Sequence, residues 1–349
     1  MRFLWRWIKR LLVVVGVLLA LLLAPVGYTE IACTGTPKFE TYDPIITDVE
    51  WQRAESRTLV TYPEWHIVHA YDDYGRVIRD GDPHEFGFLR AITGFWTSLC
   101  PLKARADEMG GMTGDSKMTI YTIGVSFTAE MLAKAAYEET LGRIATWIRG
   151  PKRSILDDVS ARRAAEYASF LQQVPWYQWP FADDIEALAN EGGDTFRDRE
   201  RRFALTTEAR SKSLYAGIIA DAVAGMGADQ LRLRSVVTGL DAAQLAEIDG
   251  VSVVAERAEG IEIETPRYRA FTDVMRRLAD IGADVVEIAG NDDILFTALS
   301  DAETAPGALY SFRRQGYGDW RHLIVVPVAD LAERLRNLNG LRLEHVHDY

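Results

Sequence analysis

An uncharged apolar run near the N-terminus constrains this chain more than any other feature. No charged side chain occurs from Leu11 to Tyr28. A helix of about 20 apolar residues, each rising about 1.5 Å, crosses the hydrocarbon core of a bilayer. The run is at the short end of that range, and Trp5 and Trp7 before it are of the type enriched at membrane interfaces. We therefore predict a transmembrane helix that contacts the lipid bilayer through Leu11–Tyr28.

The charges on either side of this run predict its orientation. The only charges before Glu30 are four basic residues: Arg2, Arg6, Lys9 and Arg10. Because basic flanks stay in the cytoplasm, residues 1–30 read as a cytoplasmic stub and a membrane anchor. We predict a single-pass protein of the bacterial inner membrane with a periplasmic C-terminal body.

A cleaved signal peptide is the alternative interpretation, since it shares the basic start and the apolar middle. A poor small-x-small cleavage triplet favours retention of the helix. In both cases the body leaves the cytoplasm, and that compartment permits a disulfide between Cys33 and Cys100, the chain's two cysteines. The alternative is that Cys100 is a buried thiol.

Length and charge limit what the body can be. The chain has 349 residues, enough for two domains, and 48% of them are hydrophobic, so we expect no extensive disorder. Its formal net charge of −12 repels phosphate backbones, so we expect no nucleic-acid partner. An envelope protein is the macromolecular partner that remains open.

The hydrophobic periodicity divides the body into three parts. Residues 31–55 read as a tether, because Pro37 and Pro44 interrupt any helix there. Residues 56–227 read as a helical domain with a period of 3.6. From 228 to 349, strands alternate with helices in an order that resembles a ferredoxin-like α+β sandwich. The predicted fold class is thus α+β, with a transmembrane helix, a mainly α-helical block and this sandwich.

The densest group of chemically versatile side chains lies at the start of the helical domain. On a helix, His66 and His69 share a face and Asp73 follows four residues after His69, with Glu64 just before them. Two histidines and a carboxylate are a weak metal or acid–base signature, and the zincin spacing of four with an intervening glutamate is missing. We expect His66 and His69 to be structural, packed beneath the helix that contains Glu130.

Two further places carry weaker signals. Glu130 lies in an apolar helix start and needs a partner there, either Lys134 one turn later or a functional role as a perturbed carboxylate. His345 and His347 alternate along a predicted strand and so share one face, which makes them weak candidates for a metal site. We predict neither a cofactor nor a bound metal.

Three segments resemble an uncharacterised family of bacterial membrane-anchored proteins. They are T-Y-P-E-W at 61–65, I-G-V-S-F-T-A-E-M at 123–131 and Y-E-E-T-L-G-R at 137–143. The resemblance covers about residues 55–225. It implies an anchored, helical protein and no particular activity.

Two function hypotheses follow. The first is a membrane-anchored envelope protein with a non-enzymatic binding or accessory role. The alternative is a periplasmic metal-dependent or acid–base hydrolase that uses Glu64, His66, His69 and Asp73. The two differ in whether those four side chains converge on one pocket.

Overall fold

The computed structural model describes residues 2–38, 42–223 and 231–349. It is a mixed helix and sheet structure with two four-stranded antiparallel sheets and one long apolar N-terminal helix, which confirms the coarse α+β prediction. The boundary predicted near Gly227 lies outside the described residues.

The helices, in chain order, are α1 (Arg2–Ala32), α2 (Arg57–Asp80), α3 (Phe88–Glu108), α4 (Gly114–Tyr137), α5 (Arg143–Arg149), α6 (Ile155–Leu171), α7 (Phe181–Asn190), α8 (Phe196–Val223), α9 (Ala242–Ala246), α10 (Tyr268–Asp280) and α11 (Val328–Arg336). The strands are β1 (Arg232–Thr238), β2 (Ser252–Arg257), β3 (Gly260–Pro266), β4 (Asp284–Ile288), β5 (Asp293–Ser300), β6 (Ala308–Arg313), β7 (Trp320–Pro327) and β8 (Arg342–His347).

The two sheets repeat one topology. The first sheet has the order β2-β3-β1-β4 and the second has the order β6-β7-β5-β8. If the four strands of each sheet are numbered along the chain, both sheets therefore have the spatial order second, third, first, fourth. All neighbouring strands are antiparallel. Helices α10 and α11 pack on one another. Helix α10 also contacts β8 of the second sheet, and helix α11 also contacts β4 of the first sheet. A hydrophobic core that includes Phe271, Phe296 and Leu331 joins the two sheets through these helices.

Helix α1 is joined to the body at its C-terminal end. It is the one helix in the described ranges long and apolar enough to span a membrane, and its apolar side chains are largely exposed. A disulfide links Cys33, just after α1, to Cys100 on α3, so of the two alternatives for Cys100 the free buried thiol is wrong. The buried Lys103 ammonium donates to the Cys33 carbonyl at 3.0 Å.

The segment predicted as a tether is packed against the first sheet. The buried carboxylate of Glu287 accepts hydrogen bonds from the Ile45 amide (2.6 Å), the Ile46 amide (2.9 Å) and the Tyr42 hydroxyl (2.7 Å). This half of the tether is extended, as predicted, except for a single 3₁₀ turn at Val49–Trp51.

Helix α2 lies between the other helices and the second sheet. It begins at Arg57, so Pro63 is its seventh residue and lies beyond the first turn, where the missing N–H removes one i→i−4 hydrogen bond of the helix. Thr58 connects α2 to the sheet: its hydroxyl donates to the His347 carbonyl at 2.7 Å and accepts from the Leu295 amide at 3.0 Å. The main hydrophobic core of the helices therefore includes Leu295 and Leu323 from the second sheet.

Candidate functional site

The two histidine-containing segments that are weak candidates in the sequence meet in the structure. The indole of Trp65 on α2 lies 3.5 Å from the His345 ring, 5.7 Å from the His69 ring and 6.0 Å from the His347 ring, measured between ring centroids. His345 and His347 are 4.8 Å apart. We call His69, His345 and His347 the histidine cluster. All three are buried between α2 and β8.

The local geometry explains how these side chains reach one place. His345 and His347 alternate along β8 and point to the same side, as the period of a strand requires. A register shift in the pairing of β8 with β5 leaves Glu344 opposite no residue, between the partners of Thr297 and Ala298. In a regular strand the Glu344 side chain would point to the side opposite His345. A bulge changes the direction of a side chain, and the Glu344 carboxylate bonds to Arg321 beside the cluster.

A chain of buried charges surrounds the cluster. The Arg321 guanidinium holds the Glu344 carboxylate with two bonds, of 2.5 Å and 2.7 Å. Asp73 accepts from the backbone N–H of Gln315 at 2.8 Å, and the Arg314 Nε atom is 3.8 Å from its other oxygen. The hairpin of β6 and β7 therefore supplies the cations and an amide that face the acidic side chain of α2.

Burial keeps the imidazoles neutral. It lowers the pKa of His66 to about 4 and of His347 to about 3, and it lowers the pKa values of His69 and His345 well below the usual 6.5. Burial acts in the opposite sense on a carboxyl group and raises the pKa of Asp73 to about 7, although Arg321 and the Gln315 amide oppose it. At neutral pH the site thus holds neutral histidines and a carboxyl group that can gain or lose a proton.

Many polar atoms of this region have no hydrogen-bond partner in the described parts of the chain. They are the Tyr62 hydroxyl, His66 Nδ1, His69 Nε2, Asp73 Oδ1, His345 Nε2 and both ring nitrogens of His347. The nearest carboxylate oxygen to His69 Nε2, from Glu344, is 3.7 Å away, beyond hydrogen-bond range. A buried polar atom left without a partner costs about 1–3 kcal/mol, and such a concentration of them is unusual for a packed core, where the large majority of buried polar atoms are hydrogen-bonded.

A cavity of about 260 Å³ adjoins this region, between α2, α3 and the β6–β7 hairpin. His66 and Asp73 line it from α2, and Arg321 lines it from β7. The rest of the lining comes from Ala70, Arg90, Ala91, Thr93, Gly94, Thr97, Tyr310, Ser311, Phe312, Arg313, Gln315 and Trp320. His66 is held in this wall by a 3.0 Å bond from its Nε2 to the Ala91 carbonyl, which leaves Nδ1 as the unpartnered nitrogen.

The structure separates the other sequence candidates from the cavity. Glu64 is exposed on α2 and does not line it. Glu130 is half-buried elsewhere, where its carboxylate contacts the Tyr71 hydroxyl and the Lys212 ammonium at 2.9 Å. The expected pairing of Glu130 with Lys134 is therefore not what forms: Lys134 bonds instead to Glu208 at 2.9 Å. Of the two histidines expected beneath α4, His66 lies near Phe127 of that helix, with ring centroids 6.1 Å apart, whereas His69 lies beside Trp65 and β8.

The cluster around Lys212 provides a contrast, because its hydrogen bonds are satisfied. Besides Glu130, the Lys212 ammonium contacts Glu208 at 3.0 Å and the Tyr71 hydroxyl at 2.8 Å. A smaller cavity of about 100 Å³ next to it is mostly lined by aromatic and aliphatic groups. A buried ion network in which each charge has its partner is structural by default.

Residues 2–38, 42–223 and 231–349 contain no group of three or more His, Cys, Asp or Glu side chains arranged to hold a metal ion. His66, His69, His345 and His347 are close in space, but the Trp65 ring lies against His345 and occupies part of the space between α2 and β8.

The sequence did not single out the cationic part of the site. Arg90 and Arg321 have no periodic or spacing signal that separates them from other arginines, because their role depends on the register of β7 and on how α3 crosses the hairpin. The G-Y-G-D turn at 316–319 was the usable signal, since it predicts the hairpin that carries Arg314, Gln315 and Arg321.

Comparison with known proteins identifies no relative: no protein-family model, curated sequence or solved structure matches this chain.

Proposed function

We propose that this protein is a membrane-anchored binding protein that captures a small molecule in the cavity between α2, α3 and the β6–β7 hairpin. The observation that carries the proposal is the unpartnered polar surface of that cavity, where His66 Nδ1 and Asp73 Oδ1 lack hydrogen-bond partners within the described residues. A concave site with a few polar groups among aromatic walls is the usual form of a small-molecule site.

We further propose that the body lies on the periplasmic side of a bacterial inner membrane. The basic residues before the apolar helix favour a cytoplasmic N-terminus. The Cys33–Cys100 disulfide supports an oxidising compartment for the body. The mass of the purified protein tests retention of the helix: we expect Met1–Tyr28 to be present, and a mature N-terminus after Gly27 or near Cys33 would contradict it.

The C-terminal part is proposed to be ferredoxin-like in the arrangement of its strands. The order second, third, first, fourth with antiparallel neighbours is compatible with a split β-α-β unit, and here it occurs twice. The second segment departs from that pattern, because residues 301–307, between β5 and β6, contain no helix. The order supports the likeness but carries no function.

Ligand binding can be tested on the full-length protein in lipid nanodiscs. We expect ligand-observed NMR with a panel of anionic, neutral and cationic small molecules to find a binder. The Thr93→Trp variant should abolish that binding, since Thr93 is exposed on α3 and lines the cavity, so the indole fills it.

Thr207→Trp is the matched control, because Thr207 is also an exposed helical threonine bonded to its own backbone, on α8 outside the cavity. A panel without any binder, or a binder that Thr93→Trp leaves unaffected, would refute the proposed function.

The second candidate function is an acid–base hydrolase that uses Asp73 and His66. Its support is that burial raises the pKa of Asp73 to about 7, near the optimum for proton transfer at neutral pH. Glu64 and His69 do not line the cavity, so only His66 and Asp73 remain of the four residues that the hydrolase hypothesis named. Turnover of ester or amide substrates that is lost in Asp73→Asn, with binding retained, would place this candidate first.

A role alongside another envelope protein stays a prediction. The described surface has exposed apolar side chains on and before α5, notably Leu141, Ile144, Trp147 and Ile148. Affinity purification from solubilised membranes tests it, and a stoichiometric partner is the expected result.

A further inference from the structure

Charge at the cavity is opposite in sign to the charge of the whole chain. The charged side chains that line it are Arg90, Arg313, Arg321 and Asp73. The chain as a whole carries a net charge of −12. Clefts that concentrate one sign of charge raise the local concentration of ligands of the other sign.

Two of these arginines are unpaired among the residues that the structure describes. Arg90 on α3 and Arg313 at the end of β6 are exposed, and neither forms an ion pair or side-chain hydrogen bond with any residue in the described ranges. By contrast, Arg321 is held by Glu344. In a chain with an excess of acidic residues, two unpaired arginines around one cavity are groups available for an external anion.

The single acidic lining residue does not cancel them. Asp73 Oδ2 is bonded to the Gln315 amide, and burial raises the pKa of this carboxyl group to about 7. The charged groups that face it are Asp72 from its own helix, Arg314 from the hairpin and Arg321 from β7. A proton on Asp73 removes its repulsion of an anion and makes its free oxygen a hydrogen-bond donor.

The walls favour a planar apolar body behind the anionic group. Tyr310, Phe312 and Trp320 line the cavity from one sheet. Aromatic side chains contact flat apolar groups closely, and the arginine fork matches a carboxylate with two parallel hydrogen bonds.

From these observations, and resting on the proposed function, we infer that the ligand is a small carboxylate with an aromatic or other flat apolar body, whose charged end is bound by Arg90 and Arg313. The carboxylate is preferred to a phosphate ester because the fraction of Asp73 that is ionised near neutral pH repels a single negative charge less than two.

Isothermal titration of the full-length protein in nanodiscs at pH 6.5 tests the inference with four probes: benzoate, benzamide, benzamidine and phenyl phosphate. Benzoate and benzamide are nearly the same size and differ in charge. We expect benzoate to bind at least tenfold more tightly than benzamide, phenyl phosphate to bind more weakly than benzoate, and benzamidine to bind least.

The variants Arg90→Gln and Arg313→Gln should each weaken benzoate binding about fivefold or more and leave benzamide binding unchanged. Arg276→Gln, at an exposed arginine on α10, is the matched control and should have no effect. Benzoate affinity should fall as ionic strength rises.

Equal affinity for benzoate and benzamide, tighter binding of benzamidine, or unchanged benzoate affinity in both arginine variants would overturn the carboxylate assignment. Tighter binding of phenyl phosphate would replace it by a phosphate ester. If none of the four probes binds while a panel compound binds in a manner sensitive to Thr93→Trp, the inference fails and the proposed function stands. If no compound of either set binds, the proposed function itself fails.

Discussion

Tyr62 and His347 illustrate at the scale of single residues what distinguishes the site from the core. Tyr62 is fully buried and its ring packs edge-on against His347, with centroids 5.4 Å apart. The hydroxyl of the one and both nitrogens of the other lack partners among the described residues. Apolar side chains of similar shape would fill this space without that loss of free energy, so these polar atoms lower the stability of the fold.

Tyr62→Phe should therefore leave the free energy of unfolding unchanged or raise it by about 1 kcal/mol, because it removes an unpaired buried hydroxyl. Tyr71→Phe is the matched control on the same helix, since the Tyr71 hydroxyl bonds to Glu130 and Lys212, and its loss should lower that free energy by about 1–3 kcal/mol. Denaturant titration in detergent measures both. A clear loss of stability in Tyr62→Phe would mean that the hydroxyl has a structural partner.

Asp73 predicts how stability depends on pH. Its pKa is 3.8 in the absence of perturbation and about 7 in the fold, so the folded state binds more protons between those values. The contribution of Asp73 to stability is therefore full at low pH and is lost as pH rises from about 4 to 7. Asp73→Asn removes this loss, so its Tm relative to the unmodified protein should rise by roughly 2–4 °C between pH 5 and pH 8. A difference that stays constant with pH would contradict the raised pKa.

The sequence could identify His66, His69, Asp73, His345 and His347 as residues of interest, but not that they meet. Spacing along one helix or strand predicts which side chains share a face. Contact between α2 and β8 depends on tertiary packing, for which a single sequence contains no local signal. The same limit explains Glu130: its partner Lys212 is on α8, far along the chain.

At the scale of elements, the hydrophobic periodicity of the sequence matches most of the observed helices and strands. The amphipathic pattern from Tyr268 corresponds to α10, and the glycine-containing turns at 290–293 and 316–319 lie at strand ends. The bulge in β8 was not predictable, because the alternation of Glu344, His345 and Val346 looks regular. Thr61 and Pro63 resemble a helix start in the sequence, but α2 begins at Arg57, after Ser56.

The contact between the tether and the first sheet is an element-scale feature with a testable cost. Glu287→Gln replaces a carboxylate that accepts three hydrogen bonds with a group that presents an amide to backbone donors. We expect a loss of about 1.5–3 kcal/mol in the free energy of unfolding and faster hydrogen exchange at the Ile45 and Ile46 amides. Glu303→Gln, at an exposed loop position, is the control. Unchanged exchange at both amides would show that the contact does not hold this segment.

At the scale of the whole molecule, the predicted helical domain and the predicted α+β domain share side chains. Thr58 bonds to β5 and β8, and Leu295 and Leu323 belong to the core of the helices. The sequence indicated a change of period near Gly227 but contained no information on how tightly the two parts pack, because that depends on the complementarity of surfaces far apart in the chain.

Limited proteolysis tests separately where the chain can be cleaved and whether the two parts stay bound to each other. We predict cleavage between about Gly225 and Leu231, where the periodicity changes, and we expect the two fragments to remain together on size-exclusion chromatography because α2 packs against the second sheet. Reduction of the disulfide should not release them, since Cys33 and Cys100 both precede the cleavage site. Fragments that elute separately would show that each part is stable without the other.

The disulfide at Cys100 has a consequence for where a ligand is met. Helix α3 carries both Cys100 and the cavity residues from Arg90 to Thr97, a span of about 15 Å at 1.5 Å per residue. If Leu11–Tyr28 spans the bilayer, Cys33 emerges only about 7 Å beyond Tyr28. With 4.9 Å between the Cα atoms of the disulfide, the cavity then lies no higher than about 27 Å above the hydrocarbon layer, so the short stretch after the helix and the disulfide together keep the cavity within reach of the membrane surface.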